Sequence, residues 1–134
     1  MKQFLLMTLL IFGLLFITSC NEGYTASDGA SLKQYLSPEA LQKLTINPDP
    51  NIWIIDVRSK KMFVKGHIPS ARSFSSSTVM DRLSELPKDK YLIVYCETGG
   101  RAQAVIKQLA KRGYTRMMNW GGYKRWKWEL KQGK

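Results

Sequence analysis

Apolar residues fall along this chain in blocks whose spacing changes from one block to the next. Ile52-Trp-Ile-Ile55 and Leu92-Ile-Val94 are short, β-rich runs bounded by polar turns, which predicts two buried strands. Ala102, Val105, Ile106, Leu109 and Ala110 recur at helical spacing with Lys107, Lys111 and Arg112 opposite, which predicts an amphipathic helix stopped by Gly113. Ser37-Pro38-Glu39-Ala40 opens an earlier helix, with Ser as N-cap and Pro in the first turn, and Asn47-Pro-Asp-Pro50 ends it. Val79, Met80, Leu83 and Leu86 are spaced as one helical face covering a side of the sheet. Tyr114 to Asn119 reads as a short last strand, and Tyr123, Trp126 and Leu130 as the core face of a capping helix from which Trp128 departs.

Strands separated by helices predict an α/β domain with a central, mostly parallel sheet and helices on both faces. In such sheets functional groups collect where strands end. Asp56 closes the first strand and Cys96 the second, so the two are expected on one edge.

The chain has 134 residues, room for one domain. Its first block, Phe4 to Ile17 after Lys2, is shorter than the roughly 20 residues of a membrane-spanning helix and fits a signal h-region. It leads into Ile17-Thr-Ser-Cys20, which resembles the lipobox of bacterial lipoproteins, where the cysteine is lipidated and becomes the first mature residue. An ordinary secretory signal or an uncleaved anchor is the alternative. The expected organisation is a signal peptide over 1–19 cleaved before Cys20, a flexible tether over 20–35, a folded domain over 36–130 and a basic tail over 131–134. The resemblance implies an envelope location, lipid-anchored to a membrane through Cys20 with the domain outside the cytoplasm. Cys96 would then be the single free thiol, with no internal disulfide.

Charge narrows the partners. Lys and Arg number 21 against 10 Asp and Glu, and loss of 1–19 removes one base, leaving +10. This favours anionic partners, whether small anions, an acidic protein or lipid headgroups, or is simply a solvated basic surface. No nucleic-acid motif is visible, and no nucleic-acid partner is expected. A second reading of the capping segment makes Lys124, Lys127, Trp128 and Lys131 a headgroup contact for an anchored domain.

The chemistry concentrates in Cys96-Glu97-Thr98-Gly99-Gly100-Arg101, a loop between strand and helix. Loop amides and the first N–H groups of the following helix converge there, Gly99 and Gly100 allow close approach, and Arg101 adds positive charge. Such a setting favours a thiolate or persulfide over a thiol, making Cys96 a nucleophile. A buried, inert cysteine ending a strand is the alternative.

Upstream, Asp56-Val-Arg58-Ser-Lys-Lys-Met-Phe63-Val-Lys-Gly66-His67-Ile-Pro69-Ser-Ala71 resembles the D-V-R-x-x-x-E-F-x-x-G-H-I-P-G-A signature of rhodanese-like domains. The reactive loop matches that family's C-x-x-G-x-R, and Gly113-Tyr114 and Gly121-Gly122-Tyr-Lys-Arg-Trp126 are similar to its closing elements. The likeness runs from about Leu36 to Trp126. Met62, Ser70, Ser73 and Ala102 depart from the residues the family usually carries, which are Glu, Gly, Asn and Ser. Glu97 stands beside the nucleophile, where many members are basic or neutral. It either faces the pocket and repels anionic donors or points to solvent.

The resemblance implies a rhodanese-like fold and a sulfurtransferase. Cys96 would take a sulfane sulfur from thiosulfate or a persulfide and pass it to cyanide, a thiol or a partner protein. The amides of Glu97, Thr98, Gly99 and Gly100 would hold the substrate and Arg101 would support it electrostatically. Four residues separate Cys96 from Arg101, one fewer than in cysteine phosphatases, which suits a ring around sulfur rather than phosphate. Asp56, Arg58 and His67 are implied as structural braces of the loop. One histidine makes no metal site, and neither metal nor cofactor is expected. The domain is expected to be monomeric. The competing function is a binding or sulfur-delivery module with little or no turnover.

Overall fold

The computed structural model describes residues 24–26 and 32–134; the leader over 1–19 and the lipidation of Cys20 lie outside the described residues. Among the described residues, five strands form one sheet: β1 (Tyr24–Ala26), β2 (Ile52–Asp56), β3 (Arg72–Ser73), β4 (Tyr91–Cys96) and β5 (Arg116–Gly122). Their spatial order is β1-β5-β4-β2-β3, parallel throughout except for β1, which runs antiparallel to β5. The helices are α1 (Pro38–Ile46), α2 (Lys60–Lys65) and α3 (Gly100–Ala110). The α/β class expected from the strand and helix periods, a mostly parallel sheet flanked by helices, is the class observed.

Alternation along β4 divides the core. Leu92, Val94 and Cys96 face a cluster with Val105, Ile106 and Leu109 of α3, whereas Ile93 and Tyr95 face Leu41 and Leu44 of α1 together with Trp120. Each strand residue thus loses its apolar surface to one covering layer, worth about 25 cal/mol per Å² removed from water. Ser37 caps α1 as its sequence predicts, accepting the Ala40 N–H at 3.1 Å.

Three expected elements differ. Within the supposed tether 20–35, Tyr24–Ala26 pairs with β5 and Leu32–Tyr35 forms a 3-10 turn whose Leu32 is buried. Backbone pairing at the sheet edge needs no apolar pattern, so a polar stretch conceals it. The segment over 75–86 is a 3-10 helix, Val79–Glu85, broken at Arg82, although its apolar face does reach the core.

The capping helix over 123–130 is a 3-10 turn at Tyr123–Arg125 followed by non-helical chain. Trp126, Trp128 and Leu130 alternate with Lys127, Glu129 and Lys131, and the three apolar residues pack on the core. Lys131 exchanges backbone hydrogen bonds with His67, each 2.9 Å, and the Gly133 N–H donates to the Val64 carbonyl at 2.9 Å. The residues taken as a basic tail over 131–134 therefore begin inside the fold. Among the described residues, no helix is long and apolar enough to cross a membrane.

Candidate active site

Parallel register places Asp56 opposite Tyr95 and Cys96 opposite Gly122, so the ends of β2, β4 and β5 share one edge of the sheet. Cys96 is the last residue of β4. Its thiol is buried, 1% exposed, and its Sγ accepts the Gly99 N–H at 3.0 Å. Gly99 is the N-cap of α3 at φ 104, a left-handed conformation that favours glycine. The sulfur thus lies at the positive end of an eleven-residue helix with a backbone donor on it.

The rest of the loop is more open. Thr98, Gly100 and Arg101 are exposed, and Arg101 belongs to the first turn of α3. Glu97 is about one third exposed, and its carboxylate is turned toward the Lys124 ammonium at 4.0 Å, across the loop rim. At that distance and exposure the pair contributes little stability.

Beneath the edge is a buried polar cluster. The Arg58 Nη2 donates to Asp56 Oδ2 at 2.7 Å and to the Gly66 carbonyl at 2.7 Å, and the Arg58 backbone N–H donates to Asp56 Oδ1 at 2.9 Å. The Tyr95 hydroxyl donates to Asp56 Oδ2 at 2.8 Å and accepts the Ile68 N–H at 3.1 Å. Arg58 also lies 4.3 Å from the centre of the Tyr123 ring. Burial alone would lower the Arg58 pKa, but the hydrogen bonds and charge of Asp56 outweigh it and leave it raised. Burial, then the Asp56 charge, push the Tyr95 phenol well above its ordinary value.

His67 is buried, stacked on Phe63 with ring centres 3.7 Å apart, and its Nδ1 is 2.8 Å from the Phe63 carbonyl. A carbonyl only accepts, so Nδ1 carries the proton. Asp56, Arg58 and His67 engage the chain around 63–68 and the end of β4, and reach the reactive loop through Tyr95, the neighbour of Cys96.

Three residues that hold the loop from β5 had no individual role in the sequence reading. Asn119 donates through Nδ2 to the Gly99 carbonyl at 3.0 Å. Between Val94 and Tyr95 the register with β5 slips by one residue, leaving Trp120 as a bulge before Gly121, whose φ is 100. Gly122 lies directly under Glu97. The Gly-Gly pair at the end of the last strand was the available signal, since two glycines there indicate a turn or close backbone approach. Among the described residues, no group of three or more His, Cys, Asp or Glu side chains is placed to hold a metal.

The chain is similar to known proteins in both sequence and fold. A family model described as a rhodanese-like domain matches residues 37–129. A sulfurtransferase of Allochromatium vinosum is 31% identical over 72 residues, 54% of this chain and 67% of that protein. The thiosulfate sulfurtransferase GlpE of Ectopseudomonas mendocina is 28% identical, over 69% of this chain and 83% of its own length. Among solved structures, a rhodanese-like domain protein from Staphylococcus aureus superposes with TM-score 0.64 at 25% identity, covering 73% of this chain and 96% of that one.

Proposed function

This chain belongs to the rhodanese-like domain family, and from that premise we propose that it is a sulfurtransferase working through a persulfide on Cys96. The observation that carries the proposal is the Gly99 N–H directed at Cys96 Sγ from 3.0 Å at the start of α3. A donor and a helix terminus aimed at sulfur stabilise its anionic form, which is the attacking species.

With thiosulfate, the Cys96 thiolate attacks the outer sulfur. A new S–S bond forms, the bond within thiosulfate breaks, and sulfite leaves with the electron pair. An acceptor such as cyanide or a thiolate then attacks the terminal sulfur and releases the Cys96 thiolate, completing a ping-pong cycle with no net oxidant. The terminal sulfur of the persulfide carries the negative charge, so the loop amides serve both forms of the enzyme. Because Cys96 is 1% exposed, the loop over 97–100 must open for either partner to enter. Gly100, exposed and with nothing packed against it, supplies that freedom.

The burial of Cys96 is the observation favouring the second reading, a binding or delivery module with little turnover. Intact mass after incubation with thiosulfate or a polysulfide separates the two. Gain of one sulfur, absent in Cys96→Ser, is the expected result, and no adduct with any sulfane donor would leave the binding module.

The proposed setting is the cell envelope, anchored by lipid on Cys20. Metabolic labelling with a fatty acid tests this, and the label should vanish in Cys20→Ala.

A further inference from the structure

The side chain of Asn119 bridges β5 and the reactive loop. Its Oδ1 accepts the Gly121 N–H at 2.9 Å, and its Nδ2 donates to the Gly99 carbonyl at 3.0 Å and to Gln103 Oε1 at 3.3 Å. The orientation of the amide follows from these partners, since the Gly121 N–H can only donate and the Gly99 carbonyl can only accept. The same carbonyl takes the Gln103 N–H at 3.0 Å, the first turn of α3.

Gly99 needs such a hold. It has no side chain to pack, it sits at φ 104, and glycine has other basins open at little cost. Its N–H is the group on the sulfur. Rotation about its two backbone bonds would swing that donor away while the rest of α3 stayed in place. What opposes rotation is the pinned carbonyl, together with the close seat against Gly121, where a Cβ on Gly99 would lie 3.2 Å from the Gly121 Cα.

We propose that Asn119 is a positioning residue for Cys96: by tying the Gly99 carbonyl to the Gly121 turn, it keeps the Gly99 N–H aimed at the sulfur anion held there. The inference deepens the proposed function and rests on Cys96 acting as a thiolate. Its main readout nevertheless needs no turnover.

The test is the pH dependence of Cys96 alkylation by iodoacetamide, a neutral reagent, followed by intact mass in the full folded chain. Asn119→Leu keeps the volume and removes every polar contact. Asn119→Thr keeps a group near Gly121 but is too short to reach Gly99, and it decides the matter where the leucine variant fails to fold. Loss of an aligned donor to a charged sulfur should move the alkylation midpoint up by about one pH unit. Sulfur loading from thiosulfate should slow about tenfold at neutral pH. Tyr114→Phe, which removes the Tyr114 hydroxyl's hydrogen bond to the Leu86 carbonyl far along the chain from the loop, should lower thermal stability without moving the midpoint.

Folded Asn119 variants with the wild-type midpoint would overturn the positioning role even if the wild type loads sulfur. A shifted midpoint in a protein that accepts sulfur from no donor would uphold that role and remove the sulfurtransferase reading instead.

Discussion

Gly122 supports the backbone of Glu97: a Cβ on Gly122 would lie 2.5 Å from the Glu97 carbonyl oxygen and 3.2 Å from the Thr98 Cα. The backbone of Gly122 is ordinary, with φ −97 and ψ 142, so glycine is required by space and not by conformation. The last strand and the reactive loop touch main chain to main chain.

Gly122→Ala should therefore displace the loop without abolishing the sheet. The expected cost is about 1–3 kcal/mol in denaturant unfolding, as for overpacking elsewhere. Persulfide formation on Cys96 should fall at least about tenfold, because a donor moved by a few tenths of an ångström no longer points at the sulfur. Wild-type sulfur loading in this variant would show that the loop does not depend on the contact.

Ser70 is the one non-glycine among the described residues at positive φ, at 69. An L-residue in the left-handed region is disfavoured by about 1–2 kcal/mol, partly offset by the greater freedom glycine has when unfolded. Ser70→Gly should raise stability by about 0.5–1 kcal/mol with unchanged kinetics. A lower denaturation midpoint would mean that the serine makes a compensating contact.

Breaking the buried ion pair should be severe. Arg58→Leu strands the Asp56 carboxylate and the Gly66 carbonyl, and losses of about 3–5 kcal/mol are typical when one partner of such a pair is removed. Adding Asp56→Leu removes the stranded charge and should restore part of the loss. Recovery stays incomplete because the Tyr95 hydroxyl, which keeps the Ile68 N–H, has lost the acceptor for its own proton and the Gly66 carbonyl has lost the Arg58 donor. Equal stability of the single and double variants in urea titrations would contradict this account.

The Tyr95 hydroxyl couples the same cluster to pH. Its pKa is raised in the folded protein from an ordinary 10.0, so folding holds a proton that the unfolded chain releases. The resulting stability is complete below about pH 10 and is lost as pH rises above it. Tyr95→Phe lacks this dependence. It should be less stable than wild type by about 1–3 kcal/mol at pH 7, because the Ile68 N–H and Asp56 lose a buried partner. The gap between the two proteins should narrow above pH 10. A constant gap across the alkaline limb would count against it.

Local patterns made the framework legible. Ile52–Ile55 and Leu92–Val94 could only be short buried strands, the face from Ala102 to Ala110 could only be a helix, and the strand ends located Cys96 and Asp56. What stayed hidden depends on distant partners. Asn119 acts on Gly99 across 20 positions, Tyr95 on Asp56 across 39 and Ile68 across 27. Tyr24–Ala26 is defined by hydrogen bonds to β5 and by no side-chain period. At the carboxyl end, Tyr123, Trp126 and Leu130 fit a helix while Trp126, Trp128 and Leu130 fit alternation. Pairing of Lys131 with His67 decides between the two in favour of extended chain.

The direction of β1 has a bearing on how the molecule would sit in its surroundings. Tyr24 pairs with Met118 and Ala26 with Arg116, so the chain enters the sheet nearer the end that bears Gly122 and Cys96 and runs away from it. Only three residues separate Cys20 from Tyr24, a reach of about 14 Å when fully drawn out. A lipid on Cys20 would therefore act as a short leash fastened on the reactive side. It would hold the sulfur-bearing rim close to the bilayer and confine exchange partners to those that can approach along its surface.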